Sequence, residues 1–130
     1  MNTERVFAVD DDENYRALLE LVLRTRCDVP EVRTFARGEE VVAAVCALPA
    51  RERPGLLLLD FHMPGLDGLG VLHALAKAGV RLPVVVLSNA AGPQERAACI
   101  AAGARACLAK PARLEDLVIA LRAQLEQVRG

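Results

Sequence analysis

Tryptophan is absent from the sequence, and one tyrosine with three phenylalanines leaves aromatic residues at 3% of the chain. A core must therefore be built from aliphatic side chains, and there is no platform on which nucleic-acid bases could stack. Net charge is nearly absent too: 16 Lys and Arg against 17 Asp and Glu leave -1. A nucleic-acid backbone or an anionic membrane meets no attracting field, so direct binding to either is not expected. Long apolar runs are missing. The longest, around residues 55–59, falls far short of the roughly 20 residues that span a bilayer. Residues 1–4 are polar where a signal peptide would build charge and then hydrophobicity. A cytoplasmic address is the expectation. The four cysteines, Cys27, Cys46, Cys99 and Cys107, form no C-x-x-C pair and have only two histidines to join them. A structural zinc site lacks its ligand spacing, and free, mostly buried thiols are expected.

What is present is a chain of 130 residues, 53% hydrophobic and 25% charged, which suits a single globular domain over residues 1–130. Short Val- and Leu-rich runs alternate with longer segments of helical period. The strand candidates are residues 5–9, 31–35, 55–59, 84–87 and 106–109. The second is the least apolar and reads as a sheet edge, whereas Leu56 to Leu59 and Val84 to Leu87 suit strands covered on both faces. Helix candidates fall between them, at residues 15–25, 39–48, 69–78, 94–102 and 114–128. Gly38, Gly79, Pro93 and Gly103 punctuate these segments. The fourth helix carries small residues and should be weakly anchored. The fifth shows a core stripe of Leu114, Leu117, Val118, Leu121 and Leu125, with Arg113, Glu115, Asp116, Arg122 and Glu126 outside. Strict alternation with right-handed crossovers predicts an α/β fold, a doubly wound parallel sheet of five strands with five helices.

In such sheets ligands sit beyond the carboxyl ends of the strands, near the point where the winding reverses. The residues at those ends are Asp10 and Asp11 after the first strand, Asp60 after the third, Ser88 after the fourth and Lys110 after the fifth. Polar residues ordinarily follow strands as caps and turns, but four of five ends bearing such groups would bring them together in space. Three carboxylates side by side repel one another, a strain that a divalent cation or the lysine ammonium relieves. The oxygen-rich donor set matches magnesium, and His62 alone cannot supply what zinc requires. Asp60 is then the candidate nucleophile for an in-line phosphoryl transfer, forming an acyl phosphate. The cation and Lys110 would neutralise the transferring oxygens while Ser88 donates a hydrogen bond.

Val9-Asp10-Asp11-Asp12, the stretch Leu58 to Gly68 containing Asp60, Met63-Pro64 and Asp67-Gly68, Val86-Leu87-Ser88, Gly103-Ala104 and Lys110-Pro111 occur in that order. Together they resemble the receiver domain of two-component response regulators over nearly the whole chain. The resemblance implies a flavodoxin-like sheet of order 2-1-3-4-5. It implies that Asp60 accepts phosphate from a sensor histidine kinase or phosphotransfer protein, as in a phosphorelay. Magnesium would be held by Asp10, Asp11, Asp60 and the His62 backbone carbonyl. Ser88 would be the switch hydroxyl, and Lys110 the phosphate-binding amine, with a cis peptide to Pro111.

Gly65 and Gly68 are expected to shape the turn after Asp60, and Asp67 to cap the third helix. The His62 side chain either tunes hydrolysis or simply faces solvent, and His73 is expected on the surface. Two positions depart from the family. Cys107 stands where an aromatic switch residue is usual, and Asn89 takes a place usually held by a small residue. A redox role for Cys99 and Cys107 is not favoured, since reducing compartments keep such thiols free. Phosphorylation would bias the face made by the fourth helix, fifth strand and fifth helix toward partners, including a second copy of the chain in a homodimer.

Two rival readings stand beside this one. A haloacid-dehalogenase-like phosphohydrolase needs an acid two residues after its nucleophile, where this chain has His62. A pseudo-receiver would keep the fold without being phosphorylated, and Cys107 and Asn89 speak for it. No output domain follows Gly130 in the sequence, so a stand-alone receiver or a fragment ending at a linker is expected. The 84–104 stretch also resembles receivers of the helix-turn-helix regulators named after LuxR and NarL, which would make such an output domain DNA-binding.

Overall fold

The computed structural model describes residues 2–130. In chain order these form β1 (Asn2–Val9), α1 (Glu13–Arg26), β2 (Glu31–Phe35), α2 (Gly38–Ala47), a 3-10 turn (Ala50–Glu52), β3 (Pro54–Asp60), α3 (Gly68–Lys77), β4 (Val84–Ser88), α4 (Pro93–Ala101), β5 (Ala106–Ala109) and α5 (Leu114–Arg129). All strand pairings are parallel and the sheet order is β2-β1-β3-β4-β5. The winding therefore reverses between β1 and β3. β2 is an edge, as its half-exposed, alternating pattern requires.

Side chains alternate across a strand, which explains why the central strands are apolar without interruption. Phe7, Val9, Leu57, Leu59, Val84 and Val86 pack on one face against Val41, Val45, Val71, Leu72, Leu75 and Cys99 of α2, α3 and α4. Val6, Ala8, Leu56, Leu58, Val85 and Leu87 point the other way, onto Leu19, Val22 and Leu23 of α1 and Leu117, Val118, Leu121 and Leu125 of α5. The aliphatic core expected from the scarcity of aromatics is thus two cores sharing one sheet.

The helices differ in how deeply they are held. α4 buries a single residue, Cys99, whereas α5 buries Leu117, Val118, Leu121, Gln124 and Leu125. The stripe expected on α5 needs one correction: Leu114 is 48% exposed. It is the first residue of the helix, and a side chain there reaches back over the turn before it rather than onto the sheet.

Candidate functional site

The sheet's own hydrogen bonds carry the polar residues to one place. Pairing continues one residue past the strands: the Asp10 amide donates to the Phe35 carbonyl at 3.1 Å, the Phe61 amide to Leu87 at 2.9 Å and the Lys110 amide to Ser88 at 2.7 Å. Asp10 and Asp60 are thus fixed by backbone at the ends of adjacent strands and Lys110 at the end of β5, one strand further on beyond β4, and one carboxylate oxygen each from Asp10, Asp11 and Asp60 lie within 4.8 Å of one another. They open into a cleft of about 470 Å³ bordered also by Tyr15, His62 and Asn89.

Burial and charge set the state of these groups. Asp10 is 1% exposed. One of its oxygens accepts from the Asp12 amide at 2.9 Å and the other from Lys110 Nζ at 2.9 Å. Lys110 Nζ lies also 3.3 Å from Asp60 Oδ1 and 4.6 Å from the centre of the Tyr15 ring. Burial alone would lower the lysine's pKa, but its bond to Asp10 and the two carboxylate charges outweigh burial and raise it. Asp60 is pushed up to about 6, first by burial and then by the charge of Asp10, against the pull of Lys110. A carboxylate so crowded is one that an added cation would relieve.

The turn after Asp60 is built by its glycines. Gly65 has φ +76°, and a Cβ at Gly68 would lie 2.9 Å from the Asp60 carbonyl oxygen and 2.9 Å from Phe61 Cα. Asp67 caps α3, its carboxylate accepting from the Gly70 amide at 2.8 Å, and does not reach the acidic cluster. Asn89 stands exposed at the cleft's rim, and His73 is exposed on α3. Among the described residues no peptide bond is cis, so the Lys110–Pro111 bond expected to be cis is trans. Trans is the lower-energy isomer even before proline, and β5 has already aligned the Lys110 amide with Ser88.

Ser88 does not line the cleft, and Cys107 is the free, buried thiol expected. Ser88 is fully buried and turned away from the cleft: its hydroxyl donates to Glu95 Oε2 at 2.6 Å and accepts from the Ala90 amide at 3.3 Å. Cys107 is buried beside Cys99 in the core under α4, and burial pushes both thiols up, Cys99 to about 12. Neither is a ready thiolate. The sequence reading missed Glu95, which also lies 3.1 Å from His62 Nε2, and the ring of Tyr15 under Lys110. An acid in a helix's first turn reads as an ordinary dipole partner, so the sequence carries no signal for Glu95's contacts.

The response regulator receiver domain family matches residues 6–122. This chain belongs to that family. Among curated relatives it is 38% identical over 125 residues to the response regulator MprA of Mycobacterium leprae, covering 96% of this chain and 52% of that protein. It is 36% identical over 127 residues to the transcriptional regulatory protein PrrA of Mycobacterium tuberculosis, covering 98% and 52%. The receiver domain thus spans about half the length of the curated relatives it matches. Among solved structures, the phosphorylated cyanobacterial phytochrome response regulator RcpA superposes with a TM-score of 0.82 at 27% identity, covering 97% of this chain and 94% of that one. The flavodoxin-like order 2-1-3-4-5 is the order found here. As a receiver domain the chain serves phosphorylation-based signalling rather than classical enzymatic turnover. Among its described residues no helix is long and apolar enough to cross a membrane.

Proposed function

We propose that Asp60 is the phosphoacceptor, taking a phosphoryl group from a sensor histidine kinase or phosphotransfer protein in the cytoplasm. The donor's P–N bond breaks, an O–P bond to the Asp60 carboxylate forms, and the donor imidazole leaves neutral, keeping the proton already on its other ring nitrogen. The observation that carries this reading is the position of Asp60 at the winding reversal, where the Lys110 ammonium bridges its carboxylate to that of Asp10 beside an open cleft. Lys110 stands where it neutralises transferring oxygens, and the crowding of three carboxylates fits a hard divalent cation. Magnesium held by Asp10, Asp11, Asp60 and the His62 carbonyl would supply positive charge beside the phosphoryl oxygens. The domain would catalyse its own phosphorylation and dephosphorylation, residues 1–130 acting as one unit. Phosphorylation would alter the α4-β5-α5 face for partners, a second copy included. DNA binding, if the natural protein performs it, would belong to an output segment like those that lengthen its relatives.

The phosphohydrolase reading lacks its acidic general acid and base, because the position two residues after Asp60 is His62, whose Nε2 is turned to Glu95 at 3.1 Å. Incubation with acetyl phosphate and Mg2+ should yield a mass gain of one phosphoryl group that Asp60→Asn abolishes. Steady phosphate release without a labelled species would favour the hydrolase, and no reaction the pseudo-receiver.

A further inference from the structure

Ser88 has one proton to give, and it is committed to Glu95. The bond is short and charge-assisted, the stronger kind, and the Glu95 side chain is only 14% exposed. Its two oxygens reach two different elements besides its own: Oε2 the end of β4 through Ser88, and Oε1 the β3–α3 loop through His62. Glu95 lies in the first turn of α4, the helix with a single buried residue.

We propose that Glu95 is a positioning residue that holds the Ser88 hydroxyl away from Asp60 in the unphosphorylated chain and, on release, transmits phosphorylation to α4. The inference rests on Asp60 as the phosphoacceptor. A phosphoryl group there brings about −1.5 to −2 charges and three acceptor oxygens. It competes for the Ser88 proton, and its charge opposes that of Glu95. Once the hydroxyl turns to the phosphoryl group, Glu95 loses its donor in a mostly enclosed place. A desolvated carboxylate without that donor is unfavourable, so it swings outward and loosens the first turn of α4. Cys107 takes no part, since a thiol packed against Cys99 has no bulk to swing. Glu95 therefore couples the site to α4 where the family's aromatic lever is missing.

The test labels the whole chain with acetyl phosphate and Mg2+ and follows amide hydrogen exchange of residues 96–99, where the hydrogen-bonded amides of α4 begin with Arg96 donating to the Gly92 carbonyl at 3.0 Å. Glu95→Ala should be labelled about ten- to a hundredfold faster, the rate equivalent of one charge-assisted ground-state hydrogen bond removed. Without phosphodonor, its α4 amides should exchange as fast as those of the phosphorylated wild type. Glu95→Gln keeps an acceptor oxygen for Ser88 but loses the charge, and its rate should fall between those of wild type and Glu95→Ala. In a Ser88→Ala background, Glu95→Ala should bring no further acceleration. Equal acceleration by Gln and Ala would mean charge rather than tethering and overturns the inference. So does acceleration that persists without Ser88, or an Ala variant that matches wild type in rate and exchange. An unlabelled wild type, or a labelled Asp60→Asn, instead overturns the Asp60 reading and this inference with it.

Discussion

Asp60 is held at about 6 mainly by burial and by the neighbouring Asp10 charge, and that elevation sets how stability depends on pH. Below the ordinary carboxylate range the group is protonated in both folded and unfolded chains and contributes nothing. Between about 4 and 6 the folded state binds the extra proton, so stability falls as pH rises through this window. Above it the full penalty remains. Two pKa units correspond to about 3 kcal/mol; coupling to Lys110 and the opening to solvent reduce the expected effect to about 1–2 kcal/mol. Asp60→Asn should therefore be more stable than wild type at pH 7.5 in chelator, with the gap closing by pH 4. Urea titrations at the two pH values check this, and an asparagine variant that is less stable at pH 7.5 would contradict the sign. The cluster itself was legible in the sequence because parallel strands bring their carboxyl ends together, so Asp10, Asp60 and Lys110 could be placed by counting strand ends. Glu95 was not, because its link to Ser88 depends on how a weakly held helix seats its first turn. The Lys110–Pro111 isomer was expected from family likeness alone, with no local residue that dictates it.

Elements were legible to the degree that one face of each is buried. β2 and β5 were placed to the residue, and the helices to within two residues of their ends. Those small errors arise at caps: Asp12 caps α1 through its bonds to the Asn14 and Tyr15 amides, starting the helix before its apolar stripe begins. The 3-10 turn at Ala50–Glu52 buries nothing and so left no pattern. Leu114 and Leu121 look alike in sequence, yet one heads α5 and the other sits at its centre against the sheet. Leu121 has 0% exposure and Ile119 on the same helix 65%. Leu121→Ala should cost about 2–5 kcal/mol, while Ile119→Ala should stay within about 0.5 kcal/mol. Chemical denaturation separates them, and equal losses would mean that α5 packs by another face. In α3 the controlling contact is backbone. Gly68→Ala places a methyl against the Asp60 carbonyl oxygen and Phe61 Cα, and neither can yield without shifting the end of β3. The variant should lose about 1–3 kcal/mol and also label more slowly at Asp60, whereas a purely local helix effect would leave labelling intact.

At the scale of the molecule, two apolar cores back one sheet, and the acidic cluster sits where its winding reverses, drawing on β1 and β3 from opposite sides of that point. A cation bound there would join the two halves of the sheet and would have no equivalent site in the unfolded chain, because the ligands lie 50 residues apart in sequence between Asp10 and Asp60. Binding to the folded state alone stabilises by mass action, by about 1.4 kcal/mol at ten times the dissociation constant. For a domain of this size that is a rise in Tm of roughly 3–6 °C. The gain should be present at pH 7.5 and shrink as pH falls below about 6, because protons then compete for Asp60. Asp11→Asn should reduce it: Asp11 is exposed, so its loss leaves the cores untouched and any change in the magnesium response comes from the site. Scanning calorimetry with Mg2+ and with chelator measures the difference directly. A Tm indifferent to Mg2+ at pH 7.5 would mean that Lys110 alone offsets the carboxylates, and the metal assignment would fall while the fold and the family would stand.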